Sequence, residues 1–187
     1  MKKIIMPFLL AIAALPFIAT AQNTDFQKGS ILTASNEKAE GSIRDLTKNK
    51  GSIVFTSAGG EKKTYTPGDI LGFSLNGADY ISYAGDFYKV VTNGNKAALY
   101  QRATDNSGKM VYNGAEAVSV TTAEGRAGDL YIQLKGEDKF ALITAKNFDK
   151  VLPVVFAGCA VVVADVKAKQ IDYTQLSKAV EKYNACN

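Results

Sequence analysis

Turn residues recur about every eight to twelve residues between positions 28 and 145, and this spacing constrains the fold more than any other feature. The segments between the turns are too short for typical helices and are rich in β-branched and aromatic residues. Asn76 with Gly77, and Asn93 with Gly94, are pairs typical of hairpin turns. The pattern predicts a mainly β (α+β) chain built on an antiparallel β-sandwich or open barrel. The predicted strands are residues 30–33, 41–44, 52–56, 63–66, 70–75, 80–83, 87–91, 97–100, 109–112, 130–134 and 140–144.

Three other turns differ in their chemistry. Pro67 followed by Gly68 predicts a type II turn, because proline sets φ at the first central position and glycine permits a positive φ at the second. Gly136 begins a hairpin turn between two predicted strands. Residues 105–108 superficially resemble a calcium loop, but the later oxygen ligands and the terminal glutamate are missing, so we predict an ordinary turn there.

After Lys146 the pattern becomes helical. Asn147 or Asp149 is a suitable N-cap for a helix through Leu152, with Pro153 tolerated only near its first turn. Residues 159–167 have two interpretations. The spacing of their apolar side chains favours a helix, whereas three successive valines also fit a buried strand.

The last segment predicts an amphipathic helix. Asp172 and Gln175 have the spacing of a capping box at its start. Its apolar face would carry Leu176, Val180 and Tyr183, and its solvent face Lys178, Glu181 and Lys182. We therefore expect a short C-terminal α-helical hairpin after the β-rich body.

The first 21 residues have the pattern of a signal peptide. Lys2 and Lys3 precede an apolar run at residues 4–18, which is too short to span a bilayer, and Ala19 and Ala21 suit a cleavage site. We expect residues 22–187 to form a single β-rich domain, with 147–187 as its helical tail. The expected location is the periplasm or the exterior, with no integral membrane segment in the mature chain.

Cys159 and Cys186 are the only cysteines in the sequence. In an oxidising compartment, such a pair predicts a structural disulfide, here one that clamps the last helix to the start of the preceding one. A redox pair is the alternative, but the spacing differs from Cys-x-x-Cys and no cation adjoins either cysteine.

Composition excludes several functions. The sequence has no histidine, so Ser-His-Asp and Cys-His catalysis and the usual zinc sites are excluded. Of 22 basic residues, Lys2 and Lys3 belong to the predicted signal peptide, which leaves a mature net charge of +2 against 18 acidic residues. This charge gives no indication of nucleic-acid binding. We assign no catalytic, cofactor-binding or metal-binding residue and expect no cofactor.

Acidic side chains at strand ends are the remaining candidates for chemistry. Two carboxylates that converge within about 5–10 Å could hydrolyse a glycosidic bond, whereas the alternative is that each is a solvated turn residue. These candidates are Asp69, Asp79, Asp86 and Asp129.

Tyrosines in the predicted strands could fill a core or form a recognition surface, and a core or rim position is favoured. Tyr80 and Tyr83 are three residues apart, so a regular strand would place them on opposite faces. The tyrosines concerned are Tyr80, Tyr83, Tyr88, Tyr100, Tyr112 and Tyr131.

Three strings of residues carry a resemblance to a protein family. They are YTPGDILGF at residues 65–73, NGNKAALY at residues 93–100 and YNAC at residues 183–186. The chain resembles uncharacterised secreted proteins of Bacteroidetes-type bacteria. The resemblance implies a signal peptide, a β-rich body and a helical tail with a cysteine pair, and it implies no mechanism.

We therefore expect an exported, non-catalytic binding or envelope-interaction module. Its expected partner is an envelope or extracellular protein or glycan. Strand addition at an exposed sheet edge is one mechanism for holding an extended partner, and we state it as a hypothesis. The alternative is a carboxylate-dependent glycan hydrolase.

Overall fold

The computed structural model describes residues 25–105, 110–113, 116–119 and 125–186. The predicted signal peptide at residues 1–21 lies outside the described residues, as do residues 106–108 of the calcium-like turn. The strands are β1 (Gln27–Thr33), β2 (Lys38–Leu46), β3 (Ser52–Ser57), β4 (Lys62–Tyr65), β5 (Ile70–Leu75), β6 (Ala78–Tyr83), β7 (Asp86–Asn93), β8 (Ala97–Arg102), β9 (Met110–Asn113), β10 (Glu116–Ser119), β11 (Leu130–Leu134) and β12 (Ala141–Ile143).

Ten of these strands form one antiparallel sheet in the order β12-β11-β8-β7-β6-β5-β1-β2-β3-β4, and β9 pairs with β10 separately. Most neighbours in the sheet are also neighbours in sequence. The exceptions are β1 with β5 and β8 with β11. The predicted mainly β architecture is confirmed, and the sheet is open, with β12 and β4 at its edges.

The helices lie at the C-terminal end, apart from the short α1 (Thr47–Lys50). They are α2 (Phe148–Val155), α3 (Ala160–Lys167) and α4 (Leu176–Ala185), and a 3-10 turn, Tyr173–Gln175, precedes α4. Residues 160–167 are therefore helical, and the strand interpretation of the valine run is wrong. None of the helices in the described ranges is long and apolar enough to cross a membrane.

The start of α4 agrees with the sequence prediction, whereas the position of Pro153 within α2 does not. The Asp172 carboxylate accepts a hydrogen bond from the Thr174 N–H at 2.8 Å, and Gln175 completes the capping box. Pro153, however, is the sixth of the eight residues of α2, beyond the expected first turn. Proline has no N–H, so α2 lacks the hydrogen bond that residue 153 would otherwise donate to the Asp149 carbonyl.

Turn chemistry was predicted with mixed success. Asn76 and Gly77 have φ of 51° and 78°, as their hairpin requires. Gly68 does not adopt a positive φ, so the type II prediction is wrong. The Asp69 carboxylate closes this turn instead, because it accepts hydrogen bonds from the Thr66 N–H at 2.7 Å and from its hydroxyl at 2.6 Å.

Three apolar clusters hold the fold together. The helix-side core joins α2, α3 and α4 to β8, β11 and β12 through residues such as Leu99, Ile132 and Leu152. The buried residues of the strand core all come from strands, and Ile43 and Phe87 are fully buried within it. Alternation along β7 and β8 places Phe87 and Leu99 on the same face of the sheet, which we call the helix face.

Glycines allow the strand core to close. Gly29 and Gly41 face each other across β1 and β2. A Cβ atom at Gly29 would lie 2.8 Å from the Ile43 Cδ1 atom, and one at Gly41 would lie 2.7 Å from the Phe55 ring. Because these positions carry no side chain, Ile43 and Phe55 can fold over the strands and pack together.

Candidate functional site

The four candidate carboxylates are held separately, each by its own donors. Asp69 closes the turn before β5, where hydrogen bonds from the Thr66 hydroxyl and N–H lower its pKa. Asp79 accepts from the Ser74 hydroxyl at 2.5 Å, and Asp129 accepts from the N–H groups of Gly125 and Arg126 at 3.1 and 2.9 Å.

Asp86 is the one buried member of the four. Its carboxylate pairs with the Arg102 guanidinium and accepts from the Thr104 hydroxyl at 2.5 Å. It lies opposite Tyr83 in the ladder, four residues along β6 from Asp79, which separates Asp79 and Asp86 by about 13 Å. The structure thus shows Asp69 and Asp129 as turn residues, Asp79 as a strand residue bonded to Ser74, and Asp86 as an ion-pair residue.

Five of the six candidate tyrosines have described side chains. Tyr80 stacks on Phe73 in the strand core, with ring centroids 4.3 Å apart, whereas Tyr83 lies on the opposite face, as the three-residue spacing predicts. The side chain of Tyr112 lies outside the described residues. The other three, Tyr88, Tyr100 and Tyr131, are buried on the face opposite the helices.

Phe140 packs against four tyrosines on this second face. We call these five residues the aromatic cluster: Tyr83, Tyr88, Tyr100, Tyr131 and Phe140. The Phe140 ring is sandwiched between Tyr83, at 4.0 Å between centroids, and Tyr100, at 4.8 Å. Phe140 was predicted to begin a strand, but it precedes β12 and covers the tyrosines instead. With these tyrosines packed against one another, the cluster is a core.

Cys159 and Cys186 form a disulfide, with Cα atoms 6.0 Å apart. The bond joins the residue before α3 to the residue after α4. In the described part of the chain, no three His, Cys, Asp or Glu side chains come together as they would around a metal ion.

A polar cleft on the helix face is the strongest candidate site. Its floor is a row of three side chains on neighbouring strands, because Tyr80 of β6 pairs with Lys89 of β7, and Lys89 pairs with Gln101 of β8. The row lies between the apolar side chains of the helix-side core and those of the strand core. Asp45 and Lys48, from the end of β2 and from α1, line a cavity of about 260 Å³ together with the row.

The three side chains of this row are half-buried and have open hydrogen-bonding groups. Tyr80, Lys89 and Gln101 have no hydrogen-bond or ion-pair partner in the described ranges. Neighbouring strands lie about 4.8 Å apart, so the row spans about 10 Å. Half-buried polar groups that converge on a cavity without partners are what a binding site for a small molecule provides.

The charges around the cleft are mixed, with an excess of one cation. Lys48 and Lys89 contribute two positive charges, and Asp45 contributes one negative charge. Arg102 also lines the cleft, but its guanidinium is paired with Asp86. Burial raises the pKa of the Tyr80 phenol, and the Asp45 carboxylate raises it further, so Tyr80 is a neutral donor at physiological pH.

A second depression, of about 280 Å³, lies around Gly72 between β1, β5 and β6. Leu32 and Ile81 lie within its largely apolar lining, and Leu71 stands 45% exposed beside it. Two of its polar side chains, Ser74 and Asp79, bond to each other. It therefore offers fewer open hydrogen-bonding groups than the cleft.

Comparison with protein families, with curated proteins and with solved structures gives no significant match for this chain.

Sequence reasoning missed the cleft. One signal was present: Lys89 follows Phe87 at a two-residue spacing, so a charged side chain shares a face with a core residue. The partners of Lys89 across the ladder could not be read from the sequence.

Proposed function

We propose that the protein is an exported, non-catalytic binding module whose ligand occupies the polar cleft. The observation that carries this proposal is the row of Tyr80, Lys89 and Gln101, half-buried on three neighbouring strands without partners among the described residues. A lysine at such a position gives up part of its hydration, which an anionic or hydroxylated ligand would restore.

Two further features support the proposal. The disulfide between Cys159 and Cys186 is compatible with an oxidising compartment. The carboxylates of Asp69, Asp79, Asp86 and Asp129 each bond to donors of their own, and no specific observation favours the glycan-hydrolase alternative.

Export is tested by mass spectrometry of the protein isolated from periplasm and medium. The expected mass corresponds to a chain that begins at Gln22 and is lighter by two hydrogens for the disulfide. A chain that retains residues 1–21 and has two free thiols contradicts the export part of the proposal.

Ligand binding is tested by recording amide resonances of the protein while a library of small polar metabolites is added. We expect binders to shift the resonances of Tyr80, Lys89 and Gln101. A Gln101→Leu variant should lose these shifts, whereas Gln133→Leu, on the neighbouring β11, serves as the matched control. Binders that shift only resonances outside the cleft, or a library with no binder, contradict the proposal.

Strand addition is a second candidate, favoured by the position of β4. This strand is an edge of the sheet, and Lys62, Lys63 and Thr64 are exposed. Ser57 N–H donates to the Glu61 carbonyl, and alternation from that pair directs the main-chain groups of Lys62 and Thr64 outward. The lysines also protect an edge against self-association, so the edge by itself is weaker support than the cleft.

The edge is tested with Thr64→Pro, which removes one outward N–H and leaves the β3–β4 bonds intact. If an extended partner adds to β4, a protein captured specifically from envelope extract should be lost by Thr64→Pro and retained by Thr64→Val. Equal capture by both variants contradicts strand addition at this edge.

A further inference from the structure

The chemistry of the cleft narrows the class of ligand, and this step rests on the proposed function. The row of Tyr80, Lys89 and Gln101 offers a phenol, an ammonium group and an amide side by side. The ammonium group has three N–H donors and no acceptor, while the amide and the phenol can each donate or accept. A ligand that satisfies all three needs an acceptor-rich group at its centre and hydroxyl groups at its ends.

The charge balance points to a single negative charge on the ligand. Lys48 and Lys89 line the cleft together with Asp45, which leaves one cation in excess once Arg102 is assigned to Asp86. A ligand with two negative charges would bring one of them close to the Asp45 carboxylate, and these like charges would repel each other. A neutral ligand would leave the half-buried Lys89 without an anion.

The side chains of Asp45 and Tyr80 are held in fixed positions from which they can hydrogen-bond to hydroxyl groups of a ligand. One Asp45 oxygen accepts the Thr47 N–H at 2.8 Å, which fixes the carboxylate and leaves its other oxygen to accept from a ligand. The Tyr80 ring is fixed by stacking on Phe73, with an interplanar angle of 6°. Positions held in this way lose little entropy when a ligand binds.

We propose that the cleft binds a small organic anion with one carboxylate and neighbouring hydroxyl groups, as in a sugar acid. Lys89 pairs with the carboxylate, and Asp45, Tyr80 and Gln101 bond the hydroxyl groups. The cavity of about 260 Å³ suits one ring-sized molecule rather than a long chain.

The test uses calorimetry and amide shifts on the exported protein with four probes: D-glucuronate, D-glucose, acetate and inorganic phosphate. D-glucuronate should bind at least 10-fold more tightly than each of the others and should shift the resonances of Tyr80, Lys89 and Gln101. Lys89→Met should weaken D-glucuronate binding at least 10-fold. Lys178→Met, which removes an exposed lysine of α4, is the matched control and should leave it unchanged.

The outcomes separate this inference from the proposed function. If D-glucose binds as tightly as D-glucuronate with shifts at the cleft, or if Lys89→Met has no effect, the anion inference is overturned and the binding module stands. Preference for phosphate likewise overturns the carboxylate assignment alone. If no probe shifts the amide resonances of the cleft residues, the inference is overturned. Titration with the wider metabolite library then decides whether the proposed binding function stands.

Discussion

Asn184 and Ala97 are joined by two hydrogen bonds that connect the last helix to the sheet. The Ala97 N–H donates to Asn184 Oδ1 at 2.8 Å, and Asn184 Nδ2 donates to the Ala97 carbonyl at 3.0 Å. The same Oδ1 atom accepts the Lys96 N–H at 2.9 Å. The side chain also lies where a Cβ atom at Gly94 would be, so the β7–β8 loop fits around it. One asparagine therefore satisfies three main-chain groups where the loop meets β8.

Replacing Asn184 should destabilise the fold. Asn184→Ala removes all three hydrogen bonds and leaves partly buried main-chain groups without partners, so we expect the free energy of unfolding to fall by about 2–3 kcal/mol. Urea unfolding monitored by circular dichroism measures the change. Asn95→Ala, in the same loop but exposed, should change stability by about 0.5 kcal/mol or less. Equal effects of the two variants would show that the three bonds contribute little.

The disulfide should stabilise the helical tail. Cys159 and Cys186 are 27 residues apart, and closing a loop of this length contributes about 3–4 kcal/mol on the chain-entropy estimate. We expect a Cys159→Ser, Cys186→Ser double variant to lose stability by about that amount. Relative to the wild type, hydrogen exchange in the double variant should accelerate more at the C-terminal end of α4 than in β1 and β2. Unchanged protection of α4 would show that helix packing alone holds the tail.

Most of the strands and the last helix were predictable because their signals are local, whereas β10 was not predicted. Asn76 with Gly77 sets a tight turn by its own backbone preference, and Asp172 with Gln175 caps a helix within four residues. The turn at Gly68 was mispredicted because the side chain of Asp69 competes with the backbone preference of the Pro-Gly pair.

The sheet order and the cleft depend on contacts between distant parts of the chain. Pairing of β1 with β5 brings β2 and α1 toward β6, and only then does Asp45 share a cavity with Tyr80 and Lys89. No local sequence pattern predicts that Asp45 lies close to Tyr80 and Lys89. Phe140 is a similar case, because its residue type favours a strand and its position between Tyr83 and Tyr100 depends on the folded sheet.

Breaking the buried ion pair should be costly. The side chains of Asp86 and Arg102 are 10% and 11% exposed, and the guanidinium also lies 5.9 Å from the Tyr88 ring centroid. Asp86→Asn leaves Arg102 buried without its counter-ion, so we expect a loss of about 3–5 kcal/mol in unfolding free energy. Denaturant titration measures this loss.

An exposed pair provides the comparison. Asp149 pairs with Lys169, and both side chains are more than half exposed. Asp149→Asn should cost about 0–1 kcal/mol. A double variant, Asp86→Leu with Arg102→Met, should be less destabilised than Asp86→Asn, because it removes both buried charges. A double variant as unstable as Asp86→Asn would show that the lost packing, and not the unpaired charge, sets the cost.

Stability should also fall at high pH because of the aromatic cluster. Burial raises the pKa of Tyr88 to about 12, against an ordinary value of 10.0; Arg102 opposes this shift and Asp86 adds to it. The unfolded chain therefore releases the phenolic proton first. The contribution of Tyr88 is fully present below pH 10 and is lost as pH rises from about 10 to 12.

Lysines titrate in the same range, so the wild type must be compared with Tyr88→Phe. We expect the variant to lose stability less steeply over that interval in urea titrations. Parallel pH profiles for the two proteins would show that the Tyr88 hydroxyl ionises equally easily in the folded and unfolded chains.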